Sequence, residues 1–226
     1  MTPLPDVTPI ERIQENLLAR AERRALNRLC AAMPAWVTPD ILTFTGMVGA
    51  ALILGGYLGS NVTPAWLWLA IFGFVVHWFG DSLDGSLARF RKIERPRYGY
   101  FLDHSCDGLA TTMIVCGIGL SPYVGMEAAL FGLAGYLLLS IHAFLSVRVL
   151  GELPLTYLSL GPTEVRVILV VLTLAFLAFG RLDPVWNDAS VFDLVAWGAG
   201  FLMIGLFIVQ TTVKVRMLAK QEPPRR

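Results

Sequence analysis

The chain has 226 residues, of which 55% are hydrophobic and 15% are charged, and its formal net charge is +1. This balance is typical of a polytopic membrane protein and argues against an ordinary soluble globule. We expect no nucleic-acid partner. The three cysteines, Cys30, Cys106 and Cys116, follow neither a metal-binding nor a disulfide spacing, and we predict that they are free packing residues.

The N-terminal segment 8–33 is predicted to form an amphipathic helix. Thr8 can cap it and Pro9 suits its first turn. Apolar side chains recur every three or four residues, at Ile10, Ile13, Leu17, Ala21 and Ala25. The same segment carries five arginines, which are Arg12, Arg20, Arg23, Arg24 and Arg28. We therefore predict that residues 1–37 form a cytoplasmic or membrane-surface region without a signal peptide, and a solvated helix is the alternative.

Six apolar segments follow, each near the roughly 20 residues that span the hydrocarbon of a bilayer. In chain order they cover residues 41–58, 65–79, 98–120, 128–147, 165–179 and 191–213. Prolines lie in or beside the connections, as helix breakers should, and Gly55 with Gly59 hints at a helix contact. We predict an all-α integral membrane protein: six transmembrane helices in residues 38–213, preceded by the N-terminal amphipathic surface helix and followed by a basic, frayed tail in 214–226.

The charges predict the orientation of these spans. A cytoplasmic N-terminus puts 17 of the 18 Lys and Arg residues on the inner side and leaves Arg181 outside. This is a clear positive-inside pattern. It predicts that both termini are cytoplasmic, and that residues 81–107, around the second connection, lie at the cytoplasmic face.

Four aspartates mark this stretch as the candidate functional site. Asp81 and Asp84 are three residues apart and Asp103 and Asp107 are four apart, so each pair shares one face of a helix. A short turn around Pro96 would make the two helices antiparallel neighbours and bring the acidic faces together. Such carboxylates repel one another, and divalent cations relieve the repulsion. Oxygen ligands suit Mg²⁺, with Mn²⁺ or Ca²⁺ as alternatives, and two such ions can clamp a diphosphate.

Small residues and an arginine accompany the acids. Gly85 and Ala88 remove side-chain bulk, so a ligand can lie against the helix backbone, and Arg89 offers a planar fork to a phosphate. The stretch fits the pattern D-x2-D-G-x2-A-R-x9-G-x3-D-x3-D from Asp81 to Asp107. This pattern resembles the signature of the CDP-alcohol phosphotransferase (CDP-alcohol phosphatidyltransferase) family. The resemblance implies a membrane enzyme that moves a substituted phosphate from a CDP-linked donor to an alcohol or lipid acceptor and releases CMP.

The resemblance also implies roles for single residues. Four positions would be metal ligands: Asp81, Asp84, Asp103 and Asp107. Asp107 would in addition be the general base for the acceptor hydroxyl. Three positions would contact the CDP moiety: Gly85, Ala88 and Arg89. Gly99 would permit close helix approach. The cofactors implied are two Mg²⁺ ions, with Mn²⁺ as a substitute, and the assembly implied is a homodimer among membrane lipids.

The identity of donor and acceptor is the next question. The run from Asp103 to Asp107 resembles the DH-x-C-D run of choline/ethanolamine phosphotransferases, as does the run from Gly161 to Glu164, although Phe90 stands where that branch has a second arginine. The preferred hypothesis is therefore transfer from a CDP-amino alcohol to a lipid hydroxyl. The alternative is a CDP-diacylglycerol donor with a small polar alcohol. Glu164 can select a cationic amino alcohol or act as a first-turn helix acid.

Other polar residues have two interpretations each. Arg148 and Arg166 can bind the phosphate of an acidic acceptor, or they only set the topology. His104 can orient the acceptor, or it is a hydrogen-bonding spacer beside Asp103. We expect His77 and His142 to be core residues with satisfied hydrogen bonds.

Two hypotheses of other classes compete with the enzyme. A cation transporter using the carboxylate cluster should carry polar groups across several spans near the membrane centre, whereas this cluster is predicted at one face. In a purely structural hypothesis the acids only pair with nearby cations, which are Arg89, Arg91, Lys92, Arg95 and Arg97. That hypothesis leaves the helical register and the small residues unexplained, so the enzyme is favoured.

Overall fold

The computed structural model describes residues 11–13, 19–150, 152–154 and 161–222. Within them, seven helices make up most of the chain: α1 Ala19–Ala32, α2 Pro39–Gly59, α3 Leu67–Arg91, α4 Pro96–Leu120, α5 Met126–Leu150, α6 Pro162–Phe179 and α7 Val191–Gln221. Two three-residue strands, β1 Glu11–Ile13 and β2 Glu152–Pro154, pair in parallel. The all-α class is therefore confirmed, with one minimal strand pair added.

Five stretches of the described chain are long and apolar enough to cross a membrane: Pro39–Gly59, Pro64–Arg91, Met126–Leu150, Pro162–Phe179 and Val191–Gln221. The protein is thus a multi-pass membrane protein. α4 is also 25 residues long, but its first half carries Arg97, Asp103 and Asp107, which make it more polar than the others. Five of the six predicted spans therefore correspond to these stretches, and a sixth span formed by α4 stays a prediction.

The N-terminal helix begins later than the sequence predicts. α1 starts at Ala19, and residues 11–13 form β1 instead of a helix, so the prediction for these three residues is wrong. Their partner β2 follows α5, and pairing between such distant segments leaves no trace in local periodicity. Thr8 and Pro9 lie outside the described residues.

α1 packs against the ends of α2 and α3 through one apolar face. The cluster there consists of Cys30, Val37, Leu42, Leu83 and Leu87, with Leu26, Leu29, Met33 and Phe79 around it. Arg23, Arg24 and Arg28 are exposed on the other face, so the amphipathic character of this helix is confirmed.

The described cysteines are free, as predicted, and burial raises the pKa of the Cys30 thiol above its ordinary value.

Glu22 anchors α1 to two membrane helices. Its Oε1 accepts hydrogen bonds from Trp78 Nε1 at 3.1 Å and Ser82 Oγ at 3.4 Å on α3, and from Thr163 Oγ1 at 2.6 Å on α6. One carboxylate thus joins three helices, and it holds α1 beside the end of α3 that carries the acids.

Glycines allow α2 and α3 to pack with their backbones in contact. A Cβ on Gly49 would overlap the backbone nitrogen of His77, and one on Gly80 would overlap the backbone of α2. The contact hinted at by Gly55 and Gly59 is different: a Cβ on Gly55 would meet no described atom within 4 Å, and Gly59 faces the ring of Trp66. The close approach places α2 directly against the acidic half of α3.

α5 and α7 share a polar contact near their ends. His142 Nδ1 lies 3.2 Å from Thr211 Oγ1, and Lys214 Nζ donates to Ser146 Oγ at 3.1 Å. The expectation that His142 is a hydrogen-bonded core residue is confirmed. α7 continues as a helix to Gln221, so most of the predicted frayed tail is helical.

Candidate active site

The four aspartates line one cavity between α2, α3 and α4. Its wall consists of Thr43, Gly46, Met47, His77, Asp81, Asp84, Asp103, Cys106 and Asp107. The convergence of the two acidic faces, expected from helical spacing, is therefore confirmed. Lys92 ends α3 in a left-handed conformation with φ 56°, and its amide bonds back to Arg89 O at 3.1 Å. Pro96 occupies the first turn of α4, so the chain reverses within a few residues.

The two acids of α3 are each held by a different neighbouring helix. Asp84 is buried, and its Oδ2 accepts a 2.6 Å hydrogen bond from Thr43 Oγ1 on α2. Asp81 accepts a hydrogen bond from the guanidinium of Arg166 on α6 and forms an ion pair with it. These contacts fix both carboxylates before any ligand arrives.

His104 lies among the acids of α4. Its Nδ1 is 3.5 Å from Asp107 Oδ2 and 4.0 Å from Asp103 Oδ2. One ligand atom from each of these three residues lies within 4.8 Å of the others. The rings of Tyr100 and Phe144 pack against the imidazole. The structure thus places His104 beside Asp103 and Asp107, a position that fits both interpretations, an orienting residue and a hydrogen-bonding spacer.

The donor set suits a hard divalent cation. Four carboxylates from α3 and α4 face one cavity, and Arg166 compensates the charge of Asp81. The remaining negative charge and the oxygen ligands match the preferences of Mg²⁺ and Mn²⁺. The residues that would hold such ions are Asp81, Asp84, Asp103 and Asp107.

The residues predicted to contact CDP lie further along α3. In the described part of the chain, the cavity wall does not include Gly85, Ala88 or Arg89. The exposed Arg89 side chain folds back along its own helix: Nη2 is 3.3 Å from Ser86 Oγ, and a Cβ on Gly85 would lie 3.3 Å from Nη1. A Cβ on Gly99 would meet no described atom within 4 Å, so the role of Gly99 in close helix approach stays a prediction.

The other predicted polar residues separate into two groups. Arg166 reaches the site through Asp81, whereas Arg148 is exposed near the end of α5. Glu164 is buried and accepts a 3.0 Å hydrogen bond from the amide of Gly161. Its described contact therefore matches the interpretation as a first-turn helix acid.

Cations near the acids mostly have other partners. Arg95 pairs with Asp40, with both carboxylate oxygens 2.6 Å from Nη2, and this contact raises the pKa of Arg95. Arg91 donates to the backbone carbonyls of Met33, Pro34, Ala35 and Val37, after the end of α1. The structural hypothesis is therefore wrong for Arg91 and Arg95, which stabilise the connections instead.

Sequence reasoning missed two polar residues of the cavity wall, Thr43 and His77. His77 is 6% exposed, and its Nδ1 has no hydrogen-bond partner among the described residues, so the expectation of a satisfied core histidine is wrong. The sequence spacing could have indicated that His77 belongs to the site, because His77, Asp81 and Asp84 recur at helical spacing on one face of α3. Thr43 had no local signal, since it lies on another helix.

The comparison with protein families shows the family of the chain. The model described as CDP-alcohol phosphatidyltransferase matches residues 36–211, well over half of the chain. The chain belongs to this family. It is therefore a transferase of substituted phosphate groups, as the aspartate pattern predicted. Membership in the CDP-alcohol phosphatidyltransferase family also favours the enzyme over the cation-transporter hypothesis.

Individual relatives differ in how much of their length they share with this CDP-alcohol phosphatidyltransferase. The archaetidylinositol phosphate synthase of Methanothermobacter thermautotrophicus is 32% identical over 168 residues, which cover 74% of this chain and 78% of that protein. Cholinephosphotransferase 1 of Danio rerio is 25% identical over 192 residues, which cover 78% of this chain and 49% of that protein. The phosphatidylinositol phosphate synthase of Cutibacterium acnes is 36% identical over 92 residues, 40% of this chain and 41% of that protein.

A solved structure supports the fold. The crystal structure of the Mycobacterium tuberculosis phosphatidylinositol phosphate synthase in its apo form superposes with a TM-score of 0.52 at 22% identity. The match covers 83% of this chain and 93% of that one. The helical arrangement is therefore shared with that synthase.

Proposed function

We propose that the protein transfers the lipid-bearing phosphate of a CDP-linked lipid to a small polar alcohol and releases CMP. The observation that carries the chemistry is the convergence of Asp81, Asp84, Asp103 and Asp107 on one cavity. The choice of donor rests on the relatives. The archaetidylinositol phosphate synthase aligns over 78% of its length, against 49% for cholinephosphotransferase 1. This evidence favours the CDP-lipid alternative over the CDP-amino alcohol that the local motifs suggested.

The proposed acceptor is a phosphorylated polyol, with inositol phosphate as the first candidate. Relatives from two organisms are named as synthases of inositol phosphate lipids. Arg166 brings a guanidinium beside the cavity through Asp81, and Arg148 lies near the end of α5. A guanidinium fork suits the phosphate of such an acceptor.

Asp107 is the proposed general base. It takes the proton of the acceptor hydroxyl as the hydroxyl oxygen bonds to the lipid-bearing phosphorus, and the bond from this phosphorus to the CMP oxygen breaks. His104 Nδ1, 3.5 Å from Asp107 Oδ2, orients this carboxylate. Divalent ions held by the four aspartates supply charge neutralisation when they are bound. Arg89, beside Gly85, binds the diphosphate of the donor.

The proposal includes the arrangement of the protein in the membrane. α4 is the sixth span, both termini and the cavity are cytoplasmic, and α1 lies on the membrane surface with its exposed arginines toward anionic lipids. The catalytic domain is 38–213, and the protein forms a homodimer. Labelling of cysteines introduced at position 95 and at position 183 with a membrane-impermeant reagent tests the orientation, because only the first should be cytoplasmic.

The activity is tested with purified protein and Mg²⁺. The donors are CDP-diacylglycerol, CDP-choline and CDP-ethanolamine, and the acceptors are inositol phosphate, inositol and diacylglycerol. We expect CMP and a new phospholipid from CDP-diacylglycerol with inositol phosphate. CMP from a CDP-amino alcohol with diacylglycerol instead would overturn the donor assignment.

Asp107→Asn is the variant that tests the general base. We expect turnover to fall by about 10²–10⁴ while the protein stays folded. Asp40→Asn, which changes an exposed carboxylate outside the cavity wall, is the matched control and should remain active. Wild-type turnover of Asp107→Asn would reject the proposed role.

A further inference from the structure

His77 is a buried polar residue in the wall of the carboxylate cavity. Its side chain lines the cavity together with the four aspartates, and the residue is only 6% exposed. Nδ1 is buried and has no hydrogen-bond partner among the described residues. An unsatisfied buried polar atom destabilises a folded protein by about 1–3 kcal/mol. Because His77 Nδ1 lies unpaired beside a binding site, we infer that its hydrogen-bond or coordination partner arrives with the ligand.

The position of His77 relative to the acids favours a cation as that partner. It lies one helical turn before Asp81, roughly 6 Å along the helix axis and away from the α3–α4 connection. The charged groups that act on its imidazole are Asp81 on the same helix and Arg166 on α6. Gly49 of α2 packs against the backbone of His77, which fixes the ring at this depth.

The other two histidines of the chain have polar neighbours of their own. His142 is paired with Thr211 on α7. His104 lies beside Asp107 through its Nδ1; its Nε2 is buried without a described partner, but His104 is not among the described residues that line the cavity. Rotation of the His77 ring by 180° about its Cβ–Cγ bond exchanges Nδ1 with Cδ2 and Nε2 with Cε1. Either nitrogen can therefore face a ligand. Among the described histidines, His77 therefore combines a place in the cavity wall with an unpaired ring nitrogen.

We propose that His77 contributes an imidazole nitrogen to a divalent cation in this cavity, so that the site has mixed nitrogen and oxygen ligands. Imidazole is a better ligand for first-row transition ions than for Mg²⁺. The histidine would therefore shift the preference of the site from Mg²⁺ toward first-row transition ions, among which Mn²⁺ also accepts the carboxylate ligands. This inference rests on the metal-binding part of the proposed function.

Pulsed EPR of Mn²⁺ bound to the untagged protein tests it without any turnover. We expect a ¹⁴N modulation on the Mn²⁺ signal that changes when histidine is labelled with ¹⁵N. His77→Phe should remove the modulation and weaken Mn²⁺ binding by about tenfold or more. The concentration of Mg²⁺ that displaces half of the Mn²⁺ should fall correspondingly. His142→Phe, a matched buried control, should keep the modulation.

A second variant covers the case in which His77→Phe does not fold. The chain has three histidines, so modulation retained in the double variant His104→Phe/His142→Phe assigns the nitrogen to His77. Modulation that persists in His77→Phe and disappears in His104→Phe would overturn the proposal. Bound Mn²⁺ without any nitrogen modulation would also reject His77 and leave the carboxylate site standing. Failure of the wild type to bind Mn²⁺ and Mg²⁺ would instead overturn the metal site itself.

Discussion

Arg166 on α6 donates a hydrogen bond to the carboxylate of Asp81 on α3, 85 residues away in the chain. Both side chains are mostly buried, with 13% and 20% of their surface exposed. The guanidinium compensates a charge that the proposed metal ions would also compensate. Stability and metal binding should therefore be linked through this pair.

Arg166→Gln is expected to destabilise the metal-free protein, because it leaves a buried carboxylate without its cation. Breaking a buried pair in this way costs about 3–5 kcal/mol. Mg²⁺ should restore part of the loss, because it neutralises the same carboxylates. Thermal unfolding in detergent, with and without Mg²⁺, measures both effects.

Two further variants show whether the loss of stability comes from the unpaired charge of Asp81. Asp81→Asn combined with Arg166→Gln should be more stable than Arg166→Gln alone, because the unpaired charge is gone. Arg95→Gln, which removes an exposed pair with Asp40, should change little. Wild-type stability of Arg166→Gln without Mg²⁺ would contradict the prediction.

Arg89→Lys should weaken binding of the CDP-linked donor. An ammonium cannot reproduce the two-point contact of a guanidinium with a phosphate, and we expect a KM for the donor higher by about tenfold, roughly 1.4 kcal/mol. Initial rates at varied donor concentration measure this effect. Arg95→Lys serves as the control, and an unchanged donor KM in Arg89→Lys would count against the assignment.

Glu22→Ala should loosen α1 from the membrane helices. Three part-buried donors, on Trp78, Ser82 and Thr163, lose their charged acceptor, and a hydrogen bond to a charged group contributes about 1.5–3 kcal/mol. Hydrogen exchange of residues 22–33 should accelerate, while exchange in α5 stays the same. The exposed neighbour Arg23 offers the matched control Arg23→Gln, and equal exchange in both variants would refute the anchor.

Gly49→Ala and Gly55→Ala should differ in their effect on stability. A Cβ on Gly49 would overlap the backbone of His77, whereas one on Gly55 would meet no described atom within 4 Å. We expect Gly49→Ala to lower the melting temperature clearly, and Gly55→Ala to be neutral or stabilising by about 0.5–1 kcal/mol, because alanine favours a helix interior. Equal melting temperatures would refute the close packing of α2 on α3.

Much of the fold could be predicted because membrane helices leave strong local signals. Continuous apolar runs and flanking prolines predicted the helices from α2 to α7 to within a few residues at most ends. β1 could not be predicted, because its partner β2 lies beyond α5. The contact of α2 with α3 was sought at Gly55 and Gly59, but it uses glycines with a seven-residue spacing, Gly49 with Gly56 and Gly73 with Gly80.

The resemblance of the pattern from Asp81 to Asp107 to the family signature implied the family chemistry. The arrangement of the acids followed from the sequence in a different way, because the aspartates recur at helical spacing on two adjacent helices. That spacing depends only on local geometry, and the turn between the helices is short. It therefore predicted that Asp81, Asp84, Asp103 and Asp107 converge. The same regularity hid His77, because a histidine in an apolar run reads as a core residue.

The neighbours that complete the site could be identified only from the packing of the helices. Thr43 reaches Asp84 from α2, and Arg166 reaches Asp81 from α6. Contacts between distant segments depend on how whole helices pack, and that packing is set by many side chains at once. The tertiary structure likewise left open space where a Cβ on Gly99 would lie, and it left His77 Nδ1 without a described partner in the cavity wall.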